Sequence, residues 1–366
     1  MTAQLGSYNC DLAASNATLF SRSELDVSDK AAVGPSGVSP CIPSHPVMVP
    51  GIPDADWSKL KYQHGFANQF STEALPGALP KYQNNPQRCP YHLYAEQLSG
   101  TAFTARRVEN FRTWMYRILP SVTHEPFQPI ENPKWKVSSD FDAETPTPNQ
   151  LRWSPLPIPG PEEQVDFVDG LQTICGAGSP AVKDGYGIHM YCANVSMERS
   201  CLCNADGNFL IVPQHGTLRV ATEMGLLEAP PGYILVVPRG IRFSVALPDG
   251  PSRGYVLEAF AGQFVLPELG PIGANGLANP RDFEAPVAAF DDTHRSDFTF
   301  NVLHKFGGKL FQAQQNFSPF NVVSWHGNYY PYRYPLCHPA PLAAQSRWES
   351  SERHVHGRPM AASGPR

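Results

Sequence analysis

Four runs decide the fold: YGIHMYCANVSM (186–197), FLIVPQHGTLRVATE (209–223), LLEAPPGYILVVPRGIRFSVAL (226–247) and GYVLEAFAGQFVLPE (254–268). Each is rich in β-branched and aromatic residues, and Gly or Pro turns separate them at short intervals. Residues of this kind suit a pleated, half-buried surface, and turns at this spacing suit antiparallel strands closing into a barrel or sandwich. Helical periodicity is hard to find anywhere in the chain. The fold class is therefore expected to be mainly β, a barrel or sandwich with irregular N-terminal strands and disordered ends. The 38 prolines and 29 glycines agree, because proline is excluded from helix interiors and central strands and so implies short strands joined by ordered loops.

Working outward, YHLYAEQLSG, TWMYRILPSV and QLRWSPLPIP mix aromatics with proline between residues 60 and 155 and read as irregular strands and loops around a core. GPIGANGLANPRDF (270–283) is a Gly/Asn-rich loop, and SPFNVVSWHGNYYPYRY (318–334) returns to the aromatic β style. Residues 1–55 are rich in Ser, Ala and Pro without an apolar period and are expected to form a disordered leader. Residues 56–336 form the β domain. Residues 337–366 lose every apolar period and are expected to be a divergent disordered tail, of the kind a frameshift or retained intron produces.

The 366 residues are 42% hydrophobic, enough for a sizeable core. A net charge of −5 and a pI near 6.2 give no basic surface to follow nucleic acid. No apolar run reaches membrane-spanning length, and no basic stretch followed by an apolar one marks a secretory signal, so the expected location is cytoplasmic. The eight cysteines are scattered without a Cys-x-x-Cys pair and read as reduced thiols. Cys201 and Cys203 alternate on one side of a predicted strand, where a shared zinc is the less favoured alternative.

One motif offers a metal site. Gly232, Pro238, Gly240 and Phe243 in GYILVVPRGIRF have the spacing of the second metal motif of cupin barrels, which this region resembles. The last position should hold an imidazole, and it holds Phe243, which has no lone pair to donate. The first motif needs two histidines one residue apart and then a glutamate; only His215 and Glu223 are present. The barrel is expected to hold no metal, with His215 at a turn beside Gly216 and Glu223 on a solvated strand end.

Longer strings are more specific. LKY (60–62) with Gly65, Phe66 and Asn68, QNNPQ (83–87), CPY (89–91), LYAEQLSG (93–100), YRILPSV (116–122), PNQLRW (148–153), VDFVDGLQTICGAG (165–178), FLIVPQ (209–214), LGPIGANGLANPRDF (269–283) and SPFNVVSWHGNYYPY (318–332) occur in this order. Over residues 60–336 the chain resembles homogentisate 1,2-dioxygenase. The resemblance implies two cupin-like halves, a mononuclear non-haem Fe(II) held by two His and one Glu in the C-terminal half, and a His base acting on the ring hydroxyl. It further implies O2-dependent opening of homogentisate to maleylacetoacetate, in phenylalanine and tyrosine catabolism, by a hexamer. The family's ligands and base lie downstream of the WHGNY motif, where this chain departs from the pattern near Leu336. No catalytic, cofactor-binding or metal residue is carried over, and Fe(II), though the family's cofactor, is not expected on this chain.

His326 lies inside WHGNYY and is expected to be a hydrogen-bonded structural residue. His338, His354 and His356 fall in the tail, which lacks the surrounding structure that fixes ligand geometry. Three readings follow: a family chain inactive alone, an oxygenase that rebuilds an iron site from His326 and tail histidines, and a non-catalytic module that co-assembles with full-length subunits. Loss of the C-terminal half is also expected to leave the strand in SPFNVVSWHGNYY with an unprotected face or edge.

Overall fold

The computed structural model describes residues 57, 60–81, 89–141, 148–150, 154–266, 278–293 and 298–336. The chain divides into two units, Met1–Cys41 and Ile42–Arg366, and every described residue belongs to the second. The expectations for 1–55 and for 337–366 lie outside the described residues.

Nineteen strands are described. The first five are short and irregular: β1 (Tyr62–His64), β2 (Phe70–Glu73), β3 (Tyr94–Ser99), β4 (Arg112–Arg117) and β5 (Gln128–Pro129). The decisive region supplies β6 (Leu171–Ser179), β7 (Asp184–Ala193), β8 (Ser200–Asn204), β9 (Asn208–His215), β10 (Leu218–Thr222), β11 (Gly225–Ala229), β12 (Tyr233–Val237), β13 (Arg242–Ala246) and β14 (Ser252–Ala259). The remainder are β15 (Glu284–Pro286), β16 (Phe300–Phe306), β17 (Lys309–Gln315), β18 (Val322–Gly327) and β19 (Tyr332–Pro335). The only helices among the described residues are single 3-10 turns, so the mainly β expectation holds.

The strands form three open sheets. One runs β1-β15-β19-β12-β9-β14-β7-β6, the second β11-β10-β13-β8-β16-β17-β5, and the third β2-β18-β4-β3. The first two face each other as a sandwich. Inward residues alternate along each strand, as a two-layer core requires. Tyr191, Phe209, Ile211, Leu235 and Val256 from one layer join Leu202, Leu218, Val220, Phe243 and Val245 from the other in one buried cluster. A smaller cluster with Cys201, Phe300, Val302 and Phe320 covers the outer face of the second sheet. That sheet is thus buried on both sides: β8 and β13 are buried at every residue.

The strand of the WHGNYY motif has no unprotected side, contrary to the sequence expectation. β18 lies between β2 and β4, which satisfy both of its edges. Trp325 enters the main core and donates its indole N–H to the Met224 carbonyl at 2.7 Å, while Val323 packs in a third cluster with Tyr116 and Phe290. The N-terminal strands and the 289–291 segment, rather than a C-terminal half, cover this sheet.

Candidate functional site

The metal position of the cupin-like motif lies in the sandwich interior. Gly232 (φ +94°) opens the turn into β12, Pro238 follows the strand, and Gly240 (φ +86°) turns the chain into β13. The two glycines stand where the backbone enters the left-handed region, which L side chains resist. Phe243 then points inward, fully buried, with its ring edge-on to Phe167 and Phe209 at 6.1 and 6.4 Å. An aromatic cluster fills the place where an imidazole ligand belongs.

The other sequence candidates do not complete a ligand set. His215 ends β9 at an exposed position and its carbonyl accepts the Ser252 hydroxyl, while Gly216 (φ +72°) makes the turn. Glu223 is not on a solvated strand end. It is buried, and its Oε2 accepts from Arg117 Nη2 at 2.8 Å while its Oε1 accepts from the Arg242 backbone N–H at 2.9 Å. His326, on β18, is half-buried with Nε2 3.0 Å from the Tyr116 hydroxyl, a structural contact. Cys201 and Cys203 share one side of β8, as read from the sequence, but burial drives both thiols up, Cys203 to about 12, and so disfavours the thiolate that zinc needs. His338, His354 and His356 lie outside the described residues. Among the described residues no group of three or more His, Cys, Asp or Glu is placed to hold a metal, so they do not fit the family's iron.

Two buried ionic networks went unread in the sequence. The first centres on Arg117, at the end of β4. Its guanidinium donates to Glu96 (3.0 Å), Glu223, Asn321 Oδ1 (3.0 Å) and the Pro319 carbonyl (2.9 Å). Burial raises the Glu96 carboxyl, but the Arg117 charge and the Ser121 N–H outweigh it, and the group ends below its ordinary range. The second joins both sheets. Glu258 on β14 contacts His189 Nε2 at 3.0 Å, accepts from Asn204 Nδ2 at 2.6 Å, and meets Lys305 Nζ at 2.9 Å. His189 Nδ1 in turn lies 3.0 Å from the Thr173 hydroxyl. Burial pushes Glu258 up, yet His189 and Lys305 together pull it below the usual carboxylate range.

A shallow aromatic recess, lined in part by Phe66, Phe111, Asn328, Tyr329 and Tyr332, is built by the WHGNYYPY motif. Two of its polar side chains are used in the fold: Asn328 accepts from the Arg112 N–H and donates to the Asn110 carbonyl, and the Tyr329 hydroxyl donates to the Arg239 carbonyl at 2.7 Å.

The family model for the N-terminal part of homogentisate 1,2-dioxygenase matches residues 61–336. Proteins named homogentisate 1,2-dioxygenase from Arabidopsis thaliana, Drosophila melanogaster and Mus musculus are 58%, 55% and 54% identical, each over 76% of this chain and over 60%, 63% and 62% of their own. The chain thus spans about three fifths of the length of the curated relatives it matches. Among solved structures, a cupin 2 conserved barrel domain protein from Leptotrichia buccalis aligns with 44% of this chain and 85% of that one, at 10% identity and a TM-score of 0.21. The bacterial pirin YhhW from Escherichia coli aligns with 48% and 86%, at 12% and 0.20. Both likenesses are too slight to argue from.

Proposed function

The chain belongs to the homogentisate 1,2-dioxygenase family, and on that premise we propose that residues 61–336 are the scaffold half of an oxygenase that opens the ring of homogentisate with O2. The observation that carries this is the family match, which runs the whole length of the described β domain at more than half identity to named relatives. The product would be maleylacetoacetate, the location cytoplasmic, and the assembly hexameric, as in the family. The family's Fe(II) finds no fitting ligand set among the described residues, so no step of ring opening is assigned to them. Their role is architectural: a sandwich whose interior is closed by Phe243 and braced by two ionic networks.

On this reading the 366-residue chain alone consumes no O2 with homogentisate, even with Fe(II) and ascorbate supplied, and retains no stoichiometric iron. An oxygen electrode and metal analysis of the purified chain are the test. Homogentisate-dependent uptake that disappears in His326→Ala would overturn it. A second reading, a non-catalytic module that joins full-length subunits, is favoured by Phe103 and Val108. Both are exposed, at 99% and 83%, on the connection between β3 and β4. Co-purification with a full-length family member separates the two.

A further inference from the structure

Lys305 stands out among the buried groups because it is an amine sealed between two carboxyls with no surface to reach. Its side chain is 1% exposed, that of Asp206 4%, and that of Glu258 0%. Nζ lies 2.6 Å from Asp206 Oδ2 and 2.9 Å from Glu258 Oε1. The Phe260 ring centroid is 5.8 Å from Nζ. Lys305 is on β16, Asp206 follows the neighbouring parallel strand β8, and Glu258 reaches across from β14 in the facing sheet. Separated charges are costly in such a place, and neutral products are favoured over an ion pair there.

The carboxyl of Asp206 is also held as an acyl electrophile would be. Oδ1 accepts the Gly307 N–H at 2.6 Å and Oδ2 accepts the Gly308 N–H at 2.9 Å. Gly307 and Gly308 take φ of +58° and +74°, in the left-handed region that glycine tolerates. With Oδ2 as the leaving oxygen, Oδ1 becomes the oxyanion of the tetrahedral intermediate and keeps one backbone donor, the Gly307 N–H. Glu258 is within hydrogen-bond reach of the same nitrogen, the geometry asked of a proton carrier.

We propose that Lys305 and Asp206 join in an intramolecular isopeptide bond, with Glu258 carrying the proton. One proton passes from the Lys305 ammonium to the Asp206 carboxylate, leaving an amine beside a carboxylic acid. The Nζ lone pair attacks Cγ, and the N–C bond forms. Glu258 Oε1 takes the proton released from Nζ and delivers it to the departing hydroxyl. The C–O bond breaks and water leaves. Nothing is oxidised or reduced, and no other reactant is needed. The bond ties β16 to the turn after β8 and closes a long loop.

The test is mass spectrometry of the full chain purified from the soluble fraction. The expected result is an intact mass lower by one water and, after trypsin, a branched peptide joining Lys305 to Asp206. Lys305→Arg and Glu258→Gln chains are expected at full mass. Linear peptides carrying unmodified Lys305 and Asp206 from the soluble wild-type chain overturn the proposal, whether or not the variants fold. A branch to Asn204 with loss of ammonia overturns the assignment of Asp206, since Asn204 is also within reach of Glu258. A soluble Glu258→Gln chain that is still cross-linked removes Glu258 from the reaction.

Discussion

Arg117 and Glu223 are 106 residues apart in the chain and 2.8 Å apart in the fold, with 1% and 4% of their side chains exposed. The pair joins the four-stranded sheet to the turn between β10 and β11. Removing Glu223 leaves the buried Arg117 guanidinium with one carboxylate, Glu96, in place of two, and strips the Arg242 backbone N–H of its acceptor. Glu223→Ala is therefore expected to lower unfolding free energy by about 3 kcal/mol. Urea denaturation followed by Trp fluorescence measures it. A change under about 0.5 kcal/mol, the size of an ordinary surface substitution, refutes the brace.

His304 gives a pH dependence with a definite sign. Burial pulls its pKa down to about 4, helped by the charges of Arg242 and His124. In the unfolded chain it titrates near the ordinary imidazole value of about 6.5. The stability it contributes is present above about pH 6.5 and is lost as pH falls toward 4, because the unfolded state binds the proton first. The loss across that window is expected to reach at most about 3 kcal/mol. In His304→Gln the slope between those two pH values should flatten; equal slopes in both proteins count against the assignment.

Restoring the missing imidazole should not restore a metal. In Phe243→His the new ring sits among Phe167, Phe209 and aliphatic neighbours, without a second ligand. The expected result is a loss of about 1–3 kcal/mol from an unsatisfied buried polar group, with no Co(II) absorption bands on titration. Tight, stoichiometric Co(II) binding would show that a ligand set is there after all.

Gly225 starts β11 at φ +134°, and a Cβ there would lie 2.2 Å from the Val287 carbonyl oxygen. Neither the backbone angle nor the neighbour can yield cheaply, since the obstacle is main chain. Gly225→Ala should cost about 1–3 kcal/mol, and a melting temperature unchanged within error would contradict it.

The strands and the place of Phe243 were legible because both depend on local pattern. Phe243 could be placed from glycine and proline spacing alone, and the structure puts it in the core. The ionic networks were not legible for a physical reason. A charge at an alternating strand position reads as solvent-facing unless the far face of that sheet is known to be covered. Glu223, read as a solvated strand end, lies instead in the turn after β10, and the residues that bury it include Arg117 and Arg242, remote in sequence. For Glu258 a signal existed: Ser252, Gly254, Val256 and Glu258 share one phase of β14, and all four are buried. The phase of Val256 already pointed that glutamate inward. The WHGNYY strand was misjudged because its cover comes from β2, β4 and their flanking residues, whose pairings no local pattern encodes.

The order in which partners arrive has a consequence for synthesis. β1 is hydrogen-bonded to β15, and Gln63 bonds the Pro286 carbonyl across 223 residues of chain. At the roughly 5–20 residues per second of translation, the first strand waits on the order of ten to forty seconds for its neighbour. β2 waits longer still, for β18. During that interval the decisive strands between β6 and β14 are complete while the outer positions of two sheets stand vacant. Nascent chains are in greatest danger of mispairing in that window, which makes this a slow-folding topology whose yield depends on the temperature and the chaperone supply during its synthesis.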